Sequence, residues 1–271
     1  MTIGFDELEQ EFPGLAVSAL AADVDTGAEL FRHRPDRVLD TASVGKIFLL
    51  HRLLAEAESG DRSLEDRVTR RPVEQFDNSG IWYLLQQDSL SLYDVAALIG
   101  ATSDNAATNT LCRVIGLDAV QAHTRELGYA HSGLDDVVRW PLPPGAPRTL
   151  SHANAEEMVR FVTRTARGED LSPSSRDTLQ RWLGAGMDLS MVASAFGLDP
   201  LAHYLFDRDI WLWNKTGTIS TVRADVGLVM SPERRLAYAV LINWERGAPA
   251  RDRVLEVMRR AGLALRAELG A

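Results

Sequence analysis

The sequence predicts a mixed α/β (α+β) fold in which both ends of the chain contribute to one antiparallel sheet flanked by helices. Apolar runs typical of strands lie near the amino terminus and return after residue 209. The long middle of the chain has helical periodicity instead. The simplest packing places the two ends in one sheet and inserts the middle as an all-α lobe. A cleft between two such lobes is a natural binding site.

The amino-terminal strands are predicted at Leu15–Val24 and Ala28–Phe31, because the turn-like residues Asp25–Gly27 separate two apolar runs. The later strands are predicted at Ile210–Trp213, Ala224–Met230 and Leu236–Trp244. Helices are predicted at Ser43–Ala57, Ser91–Gly100, Asn105–Val114, Leu117–Leu127, Ser151–Arg167, Ser175–Leu183 and Arg251–Leu269. We therefore expect a sheet lobe from residues 1–42 and 205–271 and a helical lobe from residues 43–204, forming one catalytic unit.

Composition excludes several classes of protein. The chain has 271 residues, of which 45% are hydrophobic and 25% charged, as in ordinary globular domains. Its formal net charge of −9 disfavours nucleic acid and anionic membranes as partners. No stretch approaches the roughly 18 apolar residues of a membrane span. The first residues lack the features of a secretory signal, so we expect a cytoplasmic protein, or a secreted one if a leader has been removed.

The single cysteine and the six histidines predict no special chemistry. Because Cys112 is the only cysteine, no internal disulfide can form, and its apolar neighbours favour a buried core thiol. The histidines show no metal-ligand spacing, so we expect no metal site. No organic cofactor is expected either. The oligomeric state is left open.

Lysine usage is unusual. Of 29 basic residues only Lys46 and Lys215 are lysine, so arginine has replaced lysine almost everywhere. A lysine retained against such a bias can do what arginine cannot, which is to lose its proton when its surroundings lower its pKa. Chance survival of two lysines is the alternative. The residues next to each lysine in the sequence must therefore decide between these two explanations.

Ser43 and Lys46 lie three residues apart at the start of a predicted helix, where side chains at i and i+3 share a face. A serine hydroxyl is a weak nucleophile until a base takes its proton, and a lysine of lowered pKa can be that base. Backbone N–H groups at the helix start can stabilise an oxyanion. The alternative is a capping serine followed by an exposed lysine.

Two further motifs follow in the chain. In Ser103-Asp104-Asn105 the first residue can relay a proton and the last can bind a substrate amide, although the triplet also suits a helix N-cap. In Lys215-Thr216-Gly217 the cation can attract a carboxylate and lower the pKa of Lys46, and the glycine permits close backbone approach. The alternative for this second motif is a strand with a polar edge.

The conjunction of the three motifs, in this order and with a 60-residue step from Ser43 to Ser103, resembles class A β-lactamases and penicillin-binding proteins over essentially the whole chain. The resemblance implies a β-lactamase/transpeptidase-like fold and a serine acyl-transfer enzyme. It implies that Ser43 is the nucleophile, Lys46 its general base and Ser103 the proton shuttle to the leaving nitrogen. Asn105 would hold the acylamide side chain of the substrate.

The resemblance also implies how the rest of the substrate is held. Lys215 and Thr216 would bind its carboxylate, and the N–H groups of Ser43 and Thr218 would form the oxyanion hole. Arg223 on the following strand lies near where many family members place a second carboxylate-binding arginine. A solvated strand arginine is the alternative for that position.

One part of the family pattern is missing. Class A enzymes carry a glutamate after an Arg-Trp pair, and it activates the water that hydrolyses the acyl-enzyme. Here Pro141 follows that pair, in a stretch with four prolines in eight residues, and no carboxylate occurs between Val137 and Ala155. Asp135 and Asp136 are the nearest acids and are read as solvated loop charges. Deacylation is therefore predicted to be slow.

Three functions remain open at this point. The leading one is hydrolysis of a β-lactam or another activated carbonyl compound through an acyl-enzyme at Ser43. The second is a cytoplasmic esterase or amidase that acts on a small molecule other than an antibiotic. The third is a penicillin-recognising sensor or binding protein that is acylated once and turns over slowly.

Overall fold

The computed structural model describes residues 3–74, 76, 78–139, 141, 143–147, 149–203 and 209–270. The α-helices are α1 Phe5–Glu11, α2 Lys46–Ser59, α3 Leu92–Thr102, α4 Asn105–Ile115, α5 Leu117–Glu126, α6 Ala155–Arg167, α7 Pro173–Gly184 and α8 Arg251–Glu268. Short 3₁₀ helices span Pro72–Glu74, Trp82–Leu84 and Val192–Phe196. The strands are β1 Ala16–Asp23, β2 Glu29–His33, β3 Leu39–Asp40, β4 Arg67–Thr69, β5 Ser89–Ser91, β6 Gly133–Leu134, β7 Ser151–Ala153, β8 Trp211–Ile219, β9 Val222–Met230 and β10 Arg235–Asn243.

The main sheet has the order β2-β1-β10-β9-β8, with every neighbouring pair antiparallel. Strands from the amino terminus thus pair directly with strands from the carboxyl terminus, with Ala19 opposite Val240. The predicted fold class is confirmed. The strand β8 lies at the edge of the sheet, which leaves one row of its backbone groups available to other partners.

Both faces of the sheet are covered. Along β10 the residues Ala237, Ala239 and Leu241 belong to the core shared with the helical lobe and α6. The alternate residues, which include Tyr238 and Val240, pack under α1, α8 and the 3₁₀ helix at Val192–Phe196. Burial on both faces explains why this strand is a continuous apolar run and not an alternating one.

Several elements differ from expectation, and four of them are informative. The helix predicted from Ser43 begins at Lys46, and Ser43 lies in the turn before it. The helix predicted from Ser151 begins at Ala155, because the Asn154 side chain caps it by accepting the N–H of Glu157 at 2.8 Å, and residues 151–153 form β7. The strand predicted at residues 210–213 runs on to residue 219, so the second lysine motif lies inside it. The seven-residue helix α1 is too short to show periodicity and is missed.

The division into two lobes at residues 42–43 and 204–205 stays a prediction, and residues 204–208 lie outside the described residues. The inner face of the sheet and the helical middle share one apolar cluster, so no break in packing separates them. Across the described ranges, no helix combines the length and the apolar character that a membrane crossing requires. The expected buried thiol is confirmed, since Cys112 is free and buried.

Candidate active site

The turn that carries Ser43 is fixed from behind by Ser151 of β7. Oγ of Ser151 accepts the N–H of Gly45 at 3.1 Å and donates to the carbonyl of Ala42 at 2.7 Å. It also lies 2.7 Å from Oγ1 of Thr41. A Cβ at Gly45 would lie 2.4 Å from Cβ of Ser151, so only glycine fits there. These contacts hold the half-buried Ser43 in one position at the start of α2.

Lys46 is completely buried one turn after Ser43. Its Nζ donates to the carbonyl of Ser103 at 2.7 Å and to Oδ1 of Asn105 at 2.8 Å, and lies 3.3 Å from Oγ of Ser103. Burial, and then the charge of Lys215, hold the pKa of Lys46 well below its usual value. Within the described part of the chain, this Nζ makes no hydrogen bond to Ser43.

The Ser103-Asp104-Asn105 motif joins α3 to α4. Ser103 ends α3 with a φ of 55°, in the left-handed region that non-glycine residues seldom adopt. Asp104 caps α4 by accepting the N–H of Ala107 at 2.9 Å. The helix cap that the sequence analysis gave as the alternative is therefore correct for Asp104. Ser103 and Asn105 instead both contact the Lys46 amine.

The Ser103-Asp104-Asn105 motif also binds the loop of residues 78–82, a contact that the sequence analysis did not predict. Oδ2 of Asp104 accepts the N–H groups of Ile81 at 2.8 Å and Trp82 at 2.7 Å. Nδ2 of Asn105 donates to Oδ1 of Asn78 at 2.7 Å. Residues in this loop carry no recognisable motif, so only the fold reveals that they line the site.

Lys215 approaches from the edge strand β8. It is buried, and its Nζ donates to Oγ of Ser103 at 3.0 Å and to the carbonyl of Thr216 at 2.9 Å. Burial lowers the pKa of Lys215 to about 8. A Cβ at Gly217 would lie 1.9 Å from the carbonyl oxygen of Thr41 and 3.1 Å from the backbone nitrogen of Ser43, so the glycine allows β8 to lie against the turn.

Two cavities meet at Ser43. One of about 420 Å³ extends between α3 and β8, and its lining includes Ser103, Met187, Asp188, Lys215 and Thr216. The other, of about 400 Å³, extends under the proline-rich loop, and its lining includes Asn78, Asn105, Asp136, Val137 and Ile219. Ser43, Ser79 and Thr218 line both cavities. The structure therefore gathers Ser43, Ser103, Asn105, Lys215, Thr216 and Thr218 around one opening, with Lys46 buried in contact with Ser103 and Asn105.

A family model described as the beta-lactamase enzyme family matches residues 4–269. The chain belongs to this family. A β-lactamase from Sphaerobacter thermophilus is 26% identical over 96% of this chain and 93% of that one, with a TM-score of 0.80. A class A β-lactamase from Mycobacterium abscessus is 20% identical over 98% of both chains, with a TM-score of 0.82. PBP-A is 22% identical over 98% of this chain and 95% of that one, with a TM-score of 0.80. A mutant of PBP-A has been solved as an acyl-enzyme complex with penicillin G.

This β-lactamase family member is therefore a β-lactamase-like serine hydrolase, as the three sequence motifs predict. Its fold is that of the class A β-lactamases. The roles of the individual site residues rest on the geometry given above.

Arg223 lies apart from the two cavities. It is opposite Thr218 in the β8–β9 pairing, but its Nη1 donates to the carbonyls of Ile219 at 2.8 Å and Val222 at 2.7 Å. Its guanidinium stacks 5.7 Å from the centre of the Trp244 ring. Among the described residues that line either cavity, Arg223 is absent. A role for it in carboxylate binding stays a prediction.

The two acids before the proline-rich loop have different surroundings. Both carboxylate oxygens of Asp135 lie 2.8 Å from Nδ1 of His152. Asp136 is buried, and its Oδ1 pairs with Arg139 and accepts the N–H of Val137 at 2.8 Å. Its Oδ2 is buried and has no hydrogen-bond partner in the described part of the structure. The interpretation of both acids as solvated loop charges is therefore wrong for Asp136 and incomplete for Asp135, because each is held by a cationic or titratable neighbour.

One further cluster has metal-ligand chemistry. Donor atoms of Asp6, Glu9 and His33 lie within 4.8 Å of one another near the amino terminus. However, Arg37 donates to Oε1 of Glu9 at 2.6 Å, and Arg34 lies 3.2 Å from its Oε2. Two guanidinium groups already neutralise this carboxylate, so the cluster is an ion-pair network.

Proposed function

We propose that this hydrolase acylates Ser43 with β-lactams, or with related activated amides and esters that carry a carboxylate. The observation that carries the proposal is the convergence of Lys46 and Lys215 on Oγ of Ser103 beside Ser43. The sequence contains only these two lysines, and both lie in this site. Such an arrangement supplies a neutral amine, a relay hydroxyl and a fixed cation together.

In the acylation step, Oγ of Ser43 attacks the carbonyl carbon and its proton passes to the neutral amine of Lys46. The N–H groups of Ser43 and Thr218 stabilise the resulting oxyanion. The N–H of Ser43 has no acceptor within the described residues, which supports this role. The C–N bond then breaks as Lys46 returns the proton through Ser103 to the leaving nitrogen.

The substrate is oriented by its polar groups. Its carboxylate binds the protonated Lys215 and the hydroxyls of Thr216 and Thr218. Its acylamide group binds Asn105, whose Nδ2 exchanges the hydrogen bond to Asn78 for one to the substrate. A side chain on the acyl group then occupies the cavity under the proline-rich loop, where Val137 and Ile219 offer apolar surface.

We further propose that hydrolysis of the acyl-enzyme is slow. Among the described residues that line the second cavity, Asp136 is the only carboxylate, and its oxygens are either paired or buried. Within its described lining, the second cavity therefore offers no free carboxylate to activate the hydrolytic water. A penicillin-recognising sensor or binding protein remains the second candidate function, because a lasting adduct at Ser43 is what such a protein requires.

Intact-mass spectrometry after mixing with benzylpenicillin tests both parts of the proposal. We expect the mass of one whole penicillin on the wild type and none on Ser43→Ala. Ser63→Ala, which removes an exposed hydroxyl outside both cavities, should label like the wild type. Steady-state turnover of a chromogenic β-lactam beside a simple ester then separates the functions. Labelling of Ser43→Ala at the wild-type rate would contradict the assignment of the nucleophile.

A further inference from the structure

The cavity between α3 and β8 contains an acid that acylation does not use. Among the described residues that line it, Lys215 and Asp188 are the two charged ones. A subsite intended only for a substrate carboxylate would be weakened by a second carboxylate, since like charges repel. The position of Asp188 therefore points to a feature of the substrate other than its carboxylate.

The segment that carries Asp188 is fixed on both sides of the cavity. The N–H of Met187 donates to the carbonyl of Ala101 in α3 at 2.9 Å. The carbonyl of Asp188 accepts Nδ2 of Asn214 in β8 at 3.3 Å. The segment thus forms a wall between the two elements and is not a loose loop.

The Asp188 side chain is fixed as well. Its Oδ1 accepts both the backbone N–H of Ser190 at 3.1 Å and the Ser190 hydroxyl at 2.6 Å. Within the described part of the chain, Oδ2 has no hydrogen bond and Asp188 forms no ion pair. The residue is half-buried, so one carboxylate oxygen is held and the other is available to a ligand in the cavity.

The charge of Asp188 acts on the carboxylate-binding side of the site. Burial lowers the pKa of Lys215, and Asp188 opposes that effect more than any other charge does. Asp188 likewise opposes the lowering of the pKa of Arg223 by burial. Next to it, Met187 is 45% exposed and offers a polarizable apolar surface.

We propose that Asp188 and Lys215 form a dipolar subsite that selects acyl donors whose leaving-group side carries a cation as well as a carboxylate. The substrate carboxylate binds Lys215, and an ammonium or pyridinium group farther along the same portion binds Asp188. Met187 contacts the methylene groups or ring that carry the cation. This inference rests on the proposed acylation of Ser43 and defines the class of substrate that the site prefers.

The test uses pairs of cephalosporins with one acylamino side chain and either a pyridinium or an uncharged group at the 3′ position. The second-order rate of Ser43 acylation is measured for each by intact-mass spectrometry. We expect the wild type to favour the cationic compound by roughly two- to five-fold, as for a partly exposed ion pair. The preference should shrink at high salt, since added ions screen the interaction.

Three variants test whether Asp188 causes the preference for the cationic compound. Asp188→Asn keeps an oxygen for Ser190 but removes the charge, so the cation preference should disappear. Asp188→Glu keeps the charge and should retain a preference. Asp36→Asn makes the same change in net charge at an exposed position away from Ser43 and should behave like the wild type. A wild type without a cation preference, or an unchanged preference in Asp188→Asn, would overturn the inference. Failure of every compound to label Ser43 would instead overturn the proposed function on which it rests.

Discussion

Lys46 and Lys215 direct their amines at the same hydroxyl, with Nζ of Lys46 at 3.3 Å and Nζ of Lys215 at 3.0 Å from Oγ of Ser103. Two buried ammonium groups at this spacing would repel each other, and the charge of Lys215 adds to burial in lowering the pKa of Lys46. The lowered pKa of Lys46 is the reason for assigning it the role of base in acylation and Lys215 the role of cation. The Ser103 hydroxyl accepts from both amines, which leaves its own proton free to be donated to the leaving nitrogen of a substrate, as a proton relay requires.

The two lysines should respond differently to replacement by arginine. Lys46→Arg should reduce the acylation rate by at least about 10²-fold, because a guanidinium cannot act as a base near neutral pH and general-base help contributes roughly 10²–10⁴-fold. Lys215→Arg should reduce the acylation rate less, since binding of the substrate carboxylate requires only a positive charge. Acylation rates with benzylpenicillin measure both effects.

The effect of each Lys46 substitution on folding must be distinguished from its effect on acylation. Lys46 is fully buried, and arginine adds volume that the core must accommodate. Lys46→Met removes the amine with little change in volume and should also abolish acylation while the melting temperature shows that the fold survives. Small and equal losses at the two positions would show that neither lysine is a base.

The pH dependence of acylation should report Lys215. Its pKa is lowered to about 8 from its usual value, so the amine is protonated below that pH and loses its charge above it. Acylation by β-lactams that carry a carboxylate should therefore fall between pH 7 and pH 9, and acylation by an uncharged ester should fall less. Rate profiles for the two substrates measure the difference.

The matched variant for this profile is Lys215→Arg. Because a guanidinium stays protonated at these pH values, the fall for the anionic substrate should be absent or shifted far to alkaline pH. A fall of equal size in the wild type and in Lys215→Arg would assign the titration to another group.

Gly217 should be required for its small size. A Cβ there would meet the backbone of Thr41 at 1.9 Å and of Ser43 at 3.1 Å, and neither can move without shifting the nucleophile turn. Gly217→Ala should destabilise the protein by about 1–3 kcal/mol and slow acylation by at least about tenfold. Thermal unfolding and labelling rates provide the two measurements.

Gly133 offers a control for that substitution. It also lies in a strand, but a Cβ there would have only His152 within 4 Å, at 3.7 Å. Gly133→Ala should therefore leave labelling unchanged. If both alanine variants label normally, close approach of β8 to the turn is not needed for catalysis.

Sequence reasoning recovered the parts of this site that involve local motifs and rare residues. The scarcity of lysine pointed to Lys46 and Lys215. The positions of the apolar runs predicted that both ends of the chain share one sheet. It did not recover Asn78 or Asp188, because each reaches the site through contacts between segments distant in sequence. It also began α2 too early, since periodicity cannot distinguish the turn held by Ser151 from a first helical turn.

The last prediction concerns deacylation. Hydrolysis of the ester at Ser43 needs a water and a base beside it. Asp135 is bound to His152, and Asp136 has one oxygen on Arg139 and the other buried. Lys46 and Ser103 serve acylation and act on water only after they have returned their proton. We therefore expect a burst of about one equivalent of product, followed by slow turnover, with an adduct that lasts minutes or longer.

Asp135→Asn and Asp136→Asn test whether either acid contributes. Both variants should keep the burst, and their steady-state rates should stay within about twofold of the wild type, well below the 10²–10⁴-fold loss expected for a general base. A large fall in only the steady-state rate of Asp136→Asn would show that Asp136 replaces the family glutamate, with its buried oxygen exposed in the acyl-enzyme. Rapid turnover with no detectable adduct would contradict slow deacylation itself, because some group must then activate the water at every cycle.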